Sequence, residues 1–325
     1  MEVFTDADLA SLLPYDELID HLRKAFRRGG QVPPRQVYTL GDKESSRLFG
    51  SMAASQEGAG IVFKLLTAFP ANAEKGLPVL HTVVVLFDDR TGAPLGVFDG
   101  HGITRRRTAA ASALAADYLA RPDAKTLLVV GIGQQASYMA AAHATVRKIG
   151  RVLVWGRDLK KAPRVVEKIQ NELGGAVATD VARDLEEAVR VADIITCATS
   201  SPDPLVRGEW LRAGTHVDLV GSFSPDMRES DDRLMQRARI YLDTRDACMA
   251  EAGDILIPLN NGVIKKSDIV GDLFDLTRAK VPGRQTSDEI TLFKSVGTAI
   301  EDLAAADLAC RKLGLMKPLT RPGPA

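Results

Sequence analysis

Cysteine is scarce: Cys197, Cys248 and Cys310 are isolated and odd in number among 325 residues, which argues against a disulfide framework. Histidine is little more abundant. His21, His81, His101, His143 and His216 form no ligand-spaced pair, which argues against a dedicated metal site. An excess of one charge is also missing, since 42 basic residues balance 42 acidic ones, and a partner such as nucleic acid or an anionic membrane surface is not expected. No uninterrupted apolar run approaches the length of a membrane span. The first twenty residues carry Asp6, Asp8, Asp16, Glu17 and Asp20, the reverse of a cationic signal peptide, so the expected location is cytoplasmic. No internal repeat interrupts the chain, and a proline-rich tail from Pro318 is expected to be disordered.

What the chain does have is a strand that runs straight into a glycine turn. Thr126 to Ala136 reads TLLVVGIGQQA, and an alanine-rich stretch, Ser137 to Val146, follows. Gly131, Gly133, Gln134, Gln135 and Ala136 then occupy the phosphate turn of a dinucleotide fold. The first glycine permits the turn, the second lets backbone approach a pyrophosphate, and the small third residue packs helix on strand. Alone the motif is weak. It gains weight from a second strand, Val152 to Trp155, at the distance a strand-helix-strand crossover requires. That strand ends in Gly156-Arg157-Asp158. An acid here would bond a ribose 2′-hydroxyl, whereas Arg157 suits a 2′-phosphate, which favours NADPH while leaving NADH open. The competing reading makes Arg157 a solvated residue and Asp158 the cap of a helix starting at Leu159.

The motif begins about 130 residues into the chain, so another core precedes it. Pro14 to Arg28 is a helix by its Leu18, Leu22, Phe26 stripe, stopped by Gly29-Gly30. Val37–Leu40, Leu48–Ser55, Ile61–Thr67, Val79–Phe87 and Pro94–Phe98 are short strands joined by turns, a mostly antiparallel set. Thr104 is placed to cap an alanine-rich helix running to Ala120. Strands at Ala176–Ala178, Asp193–Ala198, His216–Val220 and Ile240–Asp243, separated by helices such as Leu185–Val191, continue a parallel sheet. A last long helix is expected over Glu289–Leu313. The fold class is therefore α/β, with a parallel sheet domain at 122–288 and a mixed α+β domain at 1–121 to which 289–325 returns.

Three cations in the first domain carry no role by pattern alone. Lys64 lies between Phe63 and Leu65 in a strand and so points away from both, which reads as solvated. Arg35 follows Pro33-Pro34 with the same default. Arg105-Arg106-Arg107 open a helix in which successive side chains diverge by roughly 100°, so at most two face one pocket, and a surface cluster is the plain reading.

Lys64, Pro70-Ala71-Asn72 to Gly76-Leu77-Pro78, the run from Asp99 through Arg107 to Ala110, Gly131-Ile132-Gly133, and Phe293-Lys294-Ser295-Val296-Gly297 with Glu301-Asp302 occur in order along nearly the whole chain. Together they resemble the ornithine cyclodeaminase and mu-crystallin family. The resemblance implies a homodimer, a substrate and dimerisation domain, a Rossmann domain, and an active site in the cleft between these two. It also implies that Arg35, Lys64 and Arg107 converge on a substrate carboxylate. By the same analogy Gly221, Ser222, Ser295 and Val296 lie near the nicotinamide, and Thr199 and Ser200 on the adenosine side. Each of these small residues reads equally as a sharp turn.

Departures from the family pattern narrow the activity. Ornithine cyclodeaminases carry an acid where this chain has Phe223 and another where it has Gly50, ahead of Met52. Ser222-Phe223-Ser224-Pro225-Asp226-Met227-Arg228-Glu229 most resembles bacterial reductases of cyclic ketimines, which convert Δ1-pyrroline-2-carboxylate to L-proline and Δ1-piperideine-2-carboxylate to L-pipecolate. The expected protein is an NAD(P)H-dependent reductase of such imino acids, with Lys64 as a candidate proton source and His81 and Asp226 as weaker ones. Three alternatives stand beside it: an ornithine cyclodeaminase using NAD, an alanine-type dehydrogenase, and a non-enzymatic NADPH-dependent binder of mu-crystallin type.

Overall fold

The computed structural model describes residues 2–41 and 47–316; the tail from Pro318 lies outside the described residues. The chain forms two compact units, Met1–Arg107 with Thr298–Ala325, and Thr108–Gly297.

In the first unit β1 (Glu2–Phe4), β2 (Gln36–Leu40), β3 (Arg47–Gln56), β4 (Gly60–Ala68), β5 (Leu80–Phe87) and β6 (Pro94–Asp99) build one sheet in the order β1-β6-β5-β4-β3-β2. β1 joins β6 in parallel and the other neighbours are antiparallel. Alternation along the strands divides it into two faces. Met52, Lys64, Val84 and Phe98 stand opposite one another across β3 to β6 and are all buried. The Ala299–Lys312 helix packs over β3, β4 and β5. Leu18, Leu22 and Phe26 are the buried stripe of the Tyr15–Arg28 helix, which ends where Gly29 takes a left-handed φ of 76°.

The second unit is an eight-stranded, all-parallel sheet. Its strands are β7 (Thr126–Val130), β8 (Arg151–Trp155), β9 (Ala178–Val181), β10 (Ile194–Cys197), β11 (His216–Leu219), β12 (Ala238–Leu242), β13 (Ile269–Asp272) and β14 (Ile290–Lys294). They lie in the order β13-β12-β14-β11-β10-β7-β8-β9. Strand order reverses between β7 and β10, the point outside whose carboxyl ends such sheets bind ligands.

Four expectations change, the first being the strand expected at Ala176–Ala178, which runs over Ala178–Val181 as β9. The apolar run at Glu289–Leu313 is not one helix: Ile290–Lys294 is β14, paired with β11 and β12, and the helix begins at Ala299. Every residue of β14 is buried, so the strand lacks the alternation that would separate it from the helix beyond. Thr104 caps nothing. The helix runs from Gly100 to Leu119, and the Thr104 hydroxyl bonds back to Gly100 O at 2.6 Å. The helix expected from Leu159 begins at Ala162, and Asp158 instead turns the chain by accepting from Lys160 N at 3.1 Å.

Candidate functional site

Lys64 is where the sequence pattern misleads. It is buried on the inner face of β4, while Phe63 and Leu65 are the exposed pair, 41% and 47% accessible. Its Nζ lies 3.4 Å from Asp302 Oδ1, and Arg107 Nε donates to the same oxygen at 3.0 Å. Arg107 Nη1 also donates to Glu301 Oε2 at 2.5 Å. Both carboxylates are fully buried in the first turn of the Ala299–Lys312 helix. Burial pushes the Lys64 ammonium down to about 8; Asp302 opposes that shift, and the charges of Arg107 and Arg35 add to it. Burial likewise disfavours the Arg107 charge, but Asp302 and Glu301 more than offset it and hold the guanidinium protonated. Arg35 is half-buried and close enough for Lys64 to respond to its charge.

The neighbouring arginines are not a solvated cluster. Arg106 is buried and, like Arg105, pairs with Asp6, Arg105 Nη2 at 2.7 Å. The helix turn thus sends Arg107 one way, toward Glu301 and Asp302, and its two predecessors another, so Arg106 serves the fold. His81 is exposed on the outer face of β5, opposite Thr67, and so on the other side of the sheet from Lys64. Asp226 is exposed, and the Ser224 hydroxyl that donates to it holds its carboxyl below the usual range.

In the second unit the candidate cofactor residues follow five adjacent strands, β14, β11, β10, β7 and β8, at their carboxyl ends. Gly131 has a φ of 129°, and a Cβ there would stand 2.7 Å from Ala198 O across the switch point. At Gly133 a Cβ would meet no protein atom within 4 Å, so backbone is open to an approaching pyrophosphate. Gln134 is exposed, Gln135 starts the helix, and Ala136 is buried against β7 and β8 with Val129 and Val154. These residues fit a dinucleotide. Gly156 has a packing reason of its own, because a Cβ would lie 2.7 Å from Ile132 Cγ1, and Arg157 beside it is exposed. Thr199 follows β10 and Ser200 is exposed beyond it. Gly221 and Ser222 are buried after β11, the Ser222 hydroxyl donating to Met227 O at 2.5 Å.

Sequence reasoning missed the acids that hold these groups. Asp243 Oδ2 accepts from Ser295 Oγ at 3.0 Å, Val296 N at 2.9 Å and Gly297 N at 2.6 Å, fixing the turn after β14. Glu301 and Asp302 belong to the run that carries the family resemblance but take no role from the sequence. Their one signal in the sequence is two adjacent acids in a helical stretch otherwise rich in alanine and leucine. Among the described residues no group of three His, Cys, Asp or Glu is arranged to hold a metal ion.

A switch-point parallel sheet with an open glycine turn, next in the chain to a sheet bearing a buried lysine, defines a two-unit α/β protein of the Rossmann class. The chain belongs to the ornithine cyclodeaminase/mu-crystallin family, whose model matches residues 2–313. It is 40% identical to a Delta(1)-pyrroline-2-carboxylate reductase of Colwellia psychrerythraea over 316 residues, 96% of this chain and 99% of that one. The Thermococcus litoralis Delta(1)-pyrroline-2-carboxylate reductase, solved with NADH and L-proline, superposes with a TM-score of 0.90 at 33% identity, covering 98% of this chain and all of that one. An archaeal alanine dehydrogenase dimer with bound NAD superposes at 0.88 and 29% identity, covering 98% of each chain.

Proposed function

We propose that this protein is an NAD(P)H-dependent reductase of cyclic imino acids, acting on Δ1-pyrroline-2-carboxylate and its six-membered homologue to give L-proline and L-pipecolate. One observation carries the reading: Lys64 and Arg107 meet buried at Asp302, with Glu301 on the far side of Arg107 and the charge of Arg35 near enough to act on Lys64. A substrate carboxylate brought to this cluster of cations gains charge-assisted hydrogen bonds. The similarity to two Delta(1)-pyrroline-2-carboxylate reductases supports the choice of imino acid.

Bound NAD(P)H would supply a hydride. Gly131, Gly133 and the following helix would hold its pyrophosphate, and Thr199, Gly221 and Val296 would orient the rest. Arg35 and Arg107 fix the substrate carboxylate and so the face of the C2=N bond that is presented. As C2 takes the hydride, the electron pair of the C=N bond passes to nitrogen. Lys64, with its pKa near 8, is mostly protonated at neutral pH and supplies the nitrogen's proton. Asp226, whose carboxyl is held ionised, and His81, on the outer face, are poorer donors.

The exposed Arg157 beside Gly156 favours NADPH, although the similar proteins of known structure were solved with NADH and NAD. The outer face of the first sheet, with Phe49, Phe63 and Leu65 exposed, is the surface for a homodimer. A cytoplasmic setting matches three unpaired, buried cysteines.

The deciding experiment gives purified protein NADPH or NADH with each cyclic imine, or with pyruvate and ammonia, and in parallel NAD with ornithine. Oxidation of NADPH by the cyclic imines alone is expected. Ammonia release from ornithine would replace this reading by a cyclodeaminase, an outcome opposed by Gly50, where any side chain would stand 2.4 Å from Gln36 O.

A further inference from the structure

Glu229, in the loop before the Asp232–Arg237 helix, is fully buried and grips two other loops at once. Its Oε1 accepts from Thr199 N at 2.7 Å and Thr199 Oγ1 at 2.8 Å, after β10. Its Oε2 accepts from Gly221 N at 2.7 Å, after β11. The loops interlock at this point: a Cβ on Gly221 would lie 1.9 Å from Thr199 O and 2.4 Å from Glu229 Oε1. Glu229 is itself held, because Asp254 Oδ1 accepts from Glu229 N and Ser230 N at 3.0 Å and from Ser230 Oγ at 2.9 Å. Asp254 Oδ2 faces Lys294 Nζ at 3.5 Å, and Lys294, fully buried, ends β14 just before the turn fixed by Asp243.

We propose that Glu229 is a positioning residue for the dinucleotide, clamping the loops after β10 and β11 at a fixed separation, with Asp254 and Lys294 as its foundation. The inference rests on the reading that these loops bind NAD(P)H. Three donors converge on one side chain, and only a carboxylate offers two acceptor oxygens to them. Glutamine would turn an N–H toward either Thr199 or Gly221. A core built for stability alone gains little from burying two carboxylates and an ammonium, since well-packed apolar residues of similar volume serve as well or better. What the charges provide is geometry: short bonds from a rigid acid to backbone N–H groups of loops at the ligand-binding end of the sheet.

The test has two arms. In the cofactor-free protein, Glu229→Gln should speed amide exchange at Thr199 and Gly221 about tenfold or more, and it should raise the dissociation constants of NADH and NADPH about 10- to 100-fold. Glu229→Asp keeps the charge but is one methylene short of spanning both loops, and should fall between. Val217→Ala, a cavity in β11 among core residues that touches neither loop bond, is the control and should lower Tm with both readouts unmoved. Glu229→Asp carries the test should Glu229→Gln fail to fold, with faster amide exchange at Thr199 or Gly221 and weaker binding of both nucleotides expected. Unchanged amide exchange overturns the clamp. Faster exchange with unchanged nucleotide binding overturns its positioning role, and equal effects from Val217→Ala reduce it to general stability. Failure of the unaltered protein to bind either nucleotide would instead sink the proposed function, and that is measured first.

Discussion

Lys64 and Arg107 share Asp302 Oδ1 yet should behave differently when replaced. Lys64→Met removes a charge already weakened by burial, and should cost about 2 to 5 kcal/mol in kcat/KM for the imine while leaving NADPH binding unmoved. Because its pKa is lowered to about 8, Lys64 loses its proton as pH rises through that value, so the imine kcat/KM should decline above it. Lys64→Arg stays charged and should abolish that limb. A limb that persists unchanged in Lys64→Arg would belong to the substrate and remove Lys64 as donor. Arg107→Met would take the guanidinium away from two buried carboxylates, a loss of about 3 to 5 kcal/mol in stability, so Arg107→Lys is the informative change: folded, with KM for the imine raised. Arg157→Ala should weaken NADPH at the low end of the range for a bond to a charged group, about 1.5 kcal/mol because Arg157 is exposed, and hardly alter NADH. Equal losses for both nucleotides would take Arg157 out of the phosphate site. Of these residues only the glycine turn and Arg157 stand out by spacing as candidates. The cations needed the family resemblance, because their convergence depends on Glu301 and Asp302, some two hundred residues further along the chain.

Elements with one buried and one exposed face were read from the sequence almost to the residue, as with Tyr15–Arg28 and Leu185–Val191. Fully buried β10 and β11 also lie within a residue of the expected Asp193–Ala198 and His216–Val220, but a fully buried strand that runs on into a buried helix does not separate from it. β14 merged with the helix beyond it because five consecutive buried residues present no period, and only the left-handed Gly297, φ 81°, marks the break. β11 conceals a second consequence of full burial. Asp218 on that strand accepts from Ser112 Oγ at 3.0 Å and Thr196 Oγ1 at 2.7 Å, yet burial pushes its carboxyl up to about 7. The folded chain therefore keeps a proton that the unfolded chain gives up near the ordinary value of 3.8. Stability from this group is greatest at low pH, falls as pH rises between those values, and is flat above about 7. Asp218→Asn removes this dependence, so its stability relative to the parent should improve steadily across that window. Urea denaturation at several pH values measures the difference, and a constant offset would show that Asp218 does not titrate there.

The outer face of the first sheet links the whole molecule to the misreading of Lys64. β4 reads Ile61-Val62-Phe63-Lys64-Leu65-Leu66, apolar on both sides of the strand, and alternation then assigns the lysine to solvent because its neighbours are greasier. That inference fails when the apolar residues have a partner of their own. Phe63 and Leu65 point outward, and across the sheet they stand opposite Ala53 and Ser51 on β3 and Val85 and Val83 on β5, with Phe49 exposed beside them. Exposed apolar side chains grouped on one sheet face are the mark of an interface, and a second copy of the chain is the proposed cover. The protein should therefore sediment at twice the 35.0 kDa of one chain. Leu65→Asp places a charge at the centre of that face without touching the buried side of β4, and should give a folded monomer at micromolar concentration, whereas Leu65→Met should remain dimeric. Sedimentation velocity with far-UV circular dichroism separates dissociation from unfolding. A parent chain that sediments as a monomer, or a Leu65→Asp variant that stays dimeric, would move the interface elsewhere and leave the apolar outer face of β4 without a reason.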